Sequence, residues 1–305
     1  MLTQDKVTEI FCIIDDFCKE FLKETKKYKT LSNNDGKKHR NRSSEMSDSE
    51  IMTILLLFHF GTFKNFKHFY LHYIGVHLKK EFPKQLSYNR FVAVERHVFA
   101  EMMFFLNTVC FGKCTGITFI DSTKISVCHN KRIKRNKVFK GIAQVGKSTM
   151  GWFYGFKLHL GCNDKGELLS FCLTPANVDD RDPKTLNRLT KTLFGKLFGD
   201  KGYISATLFE TLFNDGIHLI TGIKSNMKNA LMSLYDKIML RKRSVIETIN
   251  DQLKNICEIE HSRHRAMHNF LINLLSALAA YCFFDKKPAI RFDTETNTRQ
   301  CVLFQ

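Results

Sequence analysis

Apolar residues recur at helical spacing in the first third of the chain and at strand spacing beyond it. In VTEIFCIIDDFCKEFLKE, Ile10, Ile13, Ile14, Phe17 and Phe21 share one face of a helix. A polar, basic linker, SNNDGKKHRNRSS, follows. Ser47 and Glu50 then stand at capping-box spacing before the apolar run IMTILLLFHFGTF, and SYNRFVAVERHVFAEMMFFLNTV is again helically periodic. Several short helices with basic residues between them suit a helix-turn-helix-like DNA-binding module, or a helical cap with no role on DNA.

Near residue 115 the period changes. GITFIDSTKISV reads as a strand, WFYGFKLHLGCND alternates, Asn163-Asp164-Lys165-Gly166 signals a turn, and ELLSFCLTPAN returns as a third strand. DPKTLNRLTKTLF reads as a helix with Pro183 in its first turn. KLFGDKGY gives a short strand ending at Asp200, SATLFETLFNDG a helix, HLITGIK a strand, and ALMSLYDKIMLRKRSVIETINDQLKNICEIE one long helix. The order β-β-β-α-β-α-β-α describes an α/β domain, a mixed sheet with helices packed on it. The boundaries expected are a helical region at 1–112, a catalytic domain at 113–290 and a tail at 291–305.

Charge adds a partner to this picture. Lys and Arg outnumber Asp and Glu 47 to 30, a formal charge of +17. Such a surplus favours nucleic acid, although codon bias and solubility would also produce it. No signal peptide is expected from the N-terminal residues, and the longest apolar run, Phe270 to Phe284, is short for a membrane span and interrupted by Asn273. The ten cysteines form no C-x-x-C pair. Reduced thiols in a cytoplasmic protein are expected, with neither a structural zinc nor a membrane partner.

GIAQVGKST, residues 141 to 149, satisfies the phosphate-loop pattern through Gly141, Gly146, Lys147 and Ser148. A working phosphate loop needs a buried strand before it and a helix N-terminus after it. The segment before it, HNKRIKRNKVFK, is basic, and the segment after it, TMGWFYGFKLHL, reads as a strand. No nucleotide cofactor is therefore expected. The stretch reads as a basic loop between the first two strands, with Lys147 placed to touch DNA phosphate.

Three carboxylates stand out against the basic background. Asp121 lies inside an apolar strand beside Phe119 and Ile120, where a carboxylate is costly unless paired or metal-bound. Asp200 ends a strand, and Glu247 borders the buried stripe Ile246, Ile249, Leu253 and Ile256 of the long helix. Each has an ordinary explanation: a bond to a nearby loop, a turn, and a helix ion pair with Arg243 four residues earlier. Together, two strand-borne Asp residues and a helix-borne Glu supply hard oxygen ligands suited to Mg²⁺, with Mn²⁺ as a substitute, for phosphoryl transfer.

FIDSTKISVCHN, GWFYGFKLHL, GDKGYIS and RSVIETINDQLKNICEIEHSRHR resemble the DDE transposases of bacterial insertion sequences, most closely the insertion sequence 982 family. The resemblance implies a ribonuclease-H-like catalytic domain with Asp121, Asp200 and Glu247 as catalytic residues and metal ligands. It also implies DNA as partner, both element ends and target, and a homodimer at synapsis. Arg243, Glu247 and Lys254 match the spacing of the signature around the family's Glu, on one helical face. Leu240 stands where that signature has Tyr, and Asp251, one turn beyond Glu247, is a competing ligand. Lys157, His159, Lys201, Arg243, Lys254, Arg263 and Arg265 are the further DNA contacts expected, with a solvated surface charge as the alternative for each and a core-edge histidine as the alternative for His159. The implied activity is cutting of element ends and joining to target DNA. A related nuclease without strand transfer, or an inactive DNA-binding derivative, are the rival readings.

Overall fold

A computed structural model describes residues 2–29, 44–61, 63–149, 151–223, 232–260 and 264–290. The basic linker, apart from Ser44, the tail at 291–305 and Arg263 lie outside them.

The N-terminal apolar periodicity produces α1 (Gln4–Lys29), with Val7, Ile10, Ile14 and Cys18 buried. α2 (Asp48–Phe58) begins at a complete capping box: the Glu50 backbone N–H donates to Ser47 Oγ at 3.1 Å, and the Ser47 N–H donates to Glu50 Oε2 at 2.7 Å. α3 (Phe66–His68) widens at once into a π-helical stretch, Phe69–His77. α4 (Tyr88–Val94) and α5 (Phe99–Phe105) are joined by a tighter turn over Glu95–Val98.

The chain then enters a six-stranded sheet: β1 (Ile117–Cys128), β2 (Gln144–Ser148), β3 (Gly151–Asn163), β4 (Leu168–Pro175), β5 (Gly195–Gly199) and β6 (Ile217–Thr221). The order is β2-β3-β1-β5-β6, with β4 also on β3. β1, β3 and β4 are antiparallel neighbours, whereas β5 and β6 run parallel to β1. The parallel strands are reached through α6 (Pro183–Thr190) and α7 (Ala206–Asn214), as crossover connections require. α8 (Leu234–Lys242), α9 (Ser244–Asn255) and α10 (Met267–Cys282) complete the described chain. Among the described residues no helix is long and apolar enough to cross a membrane.

Both faces of the sheet are covered, and alternation along β1 assigns them. Phe119 faces a core shared with Phe156, Leu160, Ile246, Ile249 and the N-terminal helices. Ile120 faces a second core, with Leu186 and Leu189 of α6 and Leu208 and Leu212 of α7. α10 closes the first core, where Phe270 packs on Phe156 and Phe139 at ring separations of 5.3 Å each. The helices before β1 thus share one continuous core with the sheet.

Two expected elements differ. The phosphate-loop lookalike is not a loop, because Gln144–Ser148 forms an edge strand paired antiparallel with Gly151–Gly155. Gly146 permits that pairing: a Cβ there would stand 2.2 Å from the Ala176 carbonyl oxygen. The segment after Lys147 and Ser148 is β3, so no helix N-terminus faces a phosphate. The long helix is also two helices, α8 and α9, with Arg243 as the residue between them.

Candidate active site

Strand register brings the first two acids together. β1 and β5 pair in parallel as Ile117 with Lys196, Thr118 with Leu197 and Phe119 with Phe198. Asp121 and Asp200 each lie two residues beyond the last pair, so they stand side by side where the parallel pairing ends. Asp200 caps the short turn Lys201–Tyr203 and accepts a hydrogen bond from the Gly202 N–H at 2.8 Å.

The third element comes from α9. Asp121 lies on the Phe119 face of the sheet, against which α9 packs. Asn250 of α9 donates through Nδ2 to Asp121 Oδ2 at 2.9 Å. Arg243, at the break between α8 and α9, places Nη1 3.6 Å from Asp121 Oδ1 and donates through Nη2 to Glu247 Oε1 at 2.5 Å. The ordinary ion pair expected for Glu247 is therefore present, and its Arg also reaches Asp121.

Burial is the largest influence on Asp121 and pushes its carboxyl up to about 6. Arg243 opposes the shift, while Asp200 and Glu247 reinforce it through like charge. Both of those acids are thus close enough for their charge to be felt at Asp121. Lys254, half-buried, is held below the ordinary lysine range first by burial, while nearby acids, Glu260 foremost, pull the other way.

Lys157 and His159 are not where a DNA contact needs them. Asp121 pairs with Leu160 across β1 and β3, so Lys157 and His159 point to the opposite face. His159 has no exposed surface. Its Nε2 lies 2.9 Å from Thr174 Oγ1, and burial lowers its pKa to about 4, leaving the ring neutral at pH 7. A phosphate contact by His159 is corrected on this ground. Lys157 donates to the Val178 carbonyl at 2.8 Å and to Asp180 Oδ1 at 3.1 Å, so its charge is matched within the protein. Lys147, Lys201 and Arg265 are exposed.

Two further polar residues are not singled out by the sequence: Asn250, on the face of Asp121, and Asp180, on the opposite face beside Ser122 and Lys157. Asp180, in the β4–α6 loop, accepts from Lys157 and, at 3.0 Å, from the hydroxyl of Ser122, the residue after Asp121. The signal for it is the run NVDDRD, an acidic cluster in a chain of charge +17. Asn250 continues the spacing of Arg243, Glu247 and Lys254 by falling three residues after Glu247, on the same helical stripe. Asp251, the competing acid, is exposed and accepts from Asn255 Nδ2 at 2.6 Å.

Among the described residues no three His, Cys, Asp or Glu side chains converge tightly enough to hold a metal ion. The donor chemistry nevertheless fits a hard divalent cation: two adjacent carboxylates, a third on the facing helix, and a guanidinium among them supplying the positive charge. The family described as the transposase DDE domain matches residues 111–267, from just before β1 to the start of α10. No curated protein matches the chain. The family match spans more than half of the 305 residues and includes every strand of the sheet, so the chain belongs to the transposases with a DDE domain.

Proposed function

We propose that this protein is the DNA transposase of a bacterial insertion sequence of the 982 family, with Asp121, Asp200 and Glu247 as its catalytic carboxylates. The observation that carries the reading is the side-by-side placement of Asp121 and Asp200 where β1 and β5 part, with α9 bringing Glu247, Arg243 and Asn250 across them. With the edge strand β2 set aside, the order β4-β3-β1-β5-β6, three antiparallel strands and two parallel ones, supports a ribonuclease-H-like reading of the domain.

In this reading the three carboxylates hold Mg²⁺ or Mn²⁺, which when bound supplies an activated oxygen nucleophile and positive charge against the phosphoryl group. The chain's own residues do the rest. Asn250 fixes one oxygen of Asp121 and so orients its carboxylate. Arg243 balances Asp121 and Glu247 before DNA arrives. Lys201, beside Asp200, and Lys254, on the α9 stripe, meet phosphates next to the scissile bond. Element ends and target DNA occupy the same site in turn, and a homodimer holds two ends together in the cytoplasm.

The test is a strand-transfer assay with duplexes taken from the DNA flanking the reading frame. The expected product is an end joined covalently to a target plasmid in the presence of Mg²⁺ or Mn²⁺. A 3′-dideoxy end should give none, because the attacking hydroxyl is missing. Nicking without any joined product would instead assign the site to a nuclease.

A further inference from the structure

The crossing from β1 to β3 carries a surface that the acidic site does not use. Residues 129–152 contain seven Lys or Arg and no Asp or Glu. Lys131, Arg132, Lys134, Arg135, Lys137 and Lys140 lie on the connection and Lys147 on β2, and all are exposed. A run of like charges left free would repel itself and extend. This one is pinned. Phe139 in its middle is buried, with its ring 6.0 Å from Phe156 and 5.3 Å from Phe270. Tyr154 Oη donates to the Phe139 carbonyl at 3.1 Å, and the Phe139 N–H donates to Asn136 Oδ1 at 3.1 Å.

At the edge of this strip stands Trp152, the only tryptophan of the chain, 63% exposed. Its backbone is held by Asn130, whose Nδ2 donates to the Trp152 carbonyl at 2.8 Å. Lys147 is its cross-strand partner, with Nζ 5.8 Å from the ring centroid. Val145, on the same face as Lys147, is also exposed. A rigid aromatic face bordered by charge of one sign matches what nucleic acid presents: phosphates for the cations and a flat, apolar base or sugar for the ring.

We propose that this strip is a docking surface for duplex DNA outside the catalytic site, with Trp152 packing on a deoxyribose of the backbone and the cations following the phosphates. The proposal rests on the DNA reading above and adds a place to it. Trp152 lies eight residues along β3 from Leu160, the partner of Asp121. At about 3.3 Å per residue the strip is about 26 Å from Asp121. That distance corresponds to about eight base pairs of duplex. The strip therefore grips duplex at about that distance from the cut, without touching the scissile phosphate.

The sole tryptophan makes the test direct. The full chain is titrated with a short duplex from the flanking DNA, in metal-free buffer, while its tryptophan emission is followed. Quenching or a spectral shift that added salt reverses is expected. Replacing Lys131, Arg132, Lys134 and Arg135 together by Ala should lower the slope of log affinity against log salt by about 3 to 4. Trp152→Ala should weaken binding about five-fold or more at an unchanged slope, and Trp152→Phe should restore most of it. All these side chains are exposed, and matched far-UV dichroism and Tm confirm equal folding. Unchanged emission at saturating DNA, or wild-type affinity and slope in the fourfold variant, overturns the strip while a wild type that still cuts DNA leaves the transposase reading intact. A wild type that neither binds nor cuts DNA overturns both.

Discussion

Asp121→Asn is expected to remove DNA cleavage and, at the same time, to make the metal-free protein more stable. The two effects have one cause. Asp121 is held among buried groups, and its pKa rises from 3.8 to about 6. An acid whose pKa is raised in the folded state favours folding only while it is protonated. Its cost is therefore absent below pH ~4, grows as pH rises towards ~6, and is fully present at pH 7. A rise of that size corresponds to a cost of about 1–3 kcal/mol. Asparagine keeps the shape and an oxygen for Asn250 but never carries the charge, and Arg243 retains Glu247 as its partner. Urea unfolding of the metal-free proteins should show the variant ahead at pH 7 and the gap closing towards pH 4. Cleavage in Mg²⁺ should fall by about a hundredfold or more, because a neutral amide is a poor ligand for a hard cation. Equal stability at pH 7 would remove the crowding argument, and normal cleavage would remove Asp121 from the chemistry.

Glu247→Gln separates the catalytic from the ordinary reading of the helix. Glu247 is 54% exposed and bonded to Arg243 four residues earlier. If that pair were its whole purpose, the change would cost a few tenths of a kcal/mol, roughly, and leave cleavage intact. For a metal ligand the reverse emphasis is expected. The metal-free fold barely changes, since the lost pair is exposed and the variant also relieves repulsion at Asp121. Cleavage falls by about a hundredfold or more, because one of three ligand charges is gone. Asp251→Asn serves as the control and should cut normally, since that side chain is exposed and engaged with Asn255. The opposite pattern, with Glu247→Gln active and Asp251→Asn inactive, would move the third carboxylate one turn along α9.

Much of this site is legible in the sequence for a physical reason. An acid inside an apolar strand, as at Asp121, and an acid ending one, as at Asp200, stand out because the surrounding pattern is so regular. The grouping of Arg243, Glu247 and Lys254 comes from the family signature the sequence resembles, and helical period adds only that they share one face. Other features depend on tertiary placement and leave no local period. Asp180 meets Ser122 and Lys157, on the face opposite Asp121, only because the β4–α6 loop folds back over them. β2 is hidden because an edge strand of Gln, Gly, Lys and Ser shows no apolar alternation, yet its pairing with β3 is complete. His159 is open to two readings, a DNA contact or a core-edge histidine, because alternation along β3 separates two faces and nothing local tells that both are covered. The break at Arg243 is a single residue between two helical turns. It is also what aims the guanidinium at Asp121.

The central claim is that Asp121, Asp200 and Glu247 together are a divalent-cation site. The most direct measurement is calorimetric titration of Mn²⁺ into the full chain and into a variant carrying Asp121→Asn, Asp200→Asn and Glu247→Gln together, both confirmed folded. The wild type should bind Mn²⁺ saturably, more weakly as pH falls through ~6 because Asp121 must lose its proton, and the variant should show no saturable binding. The same Mn²⁺ isotherm for both proteins would contradict that claim.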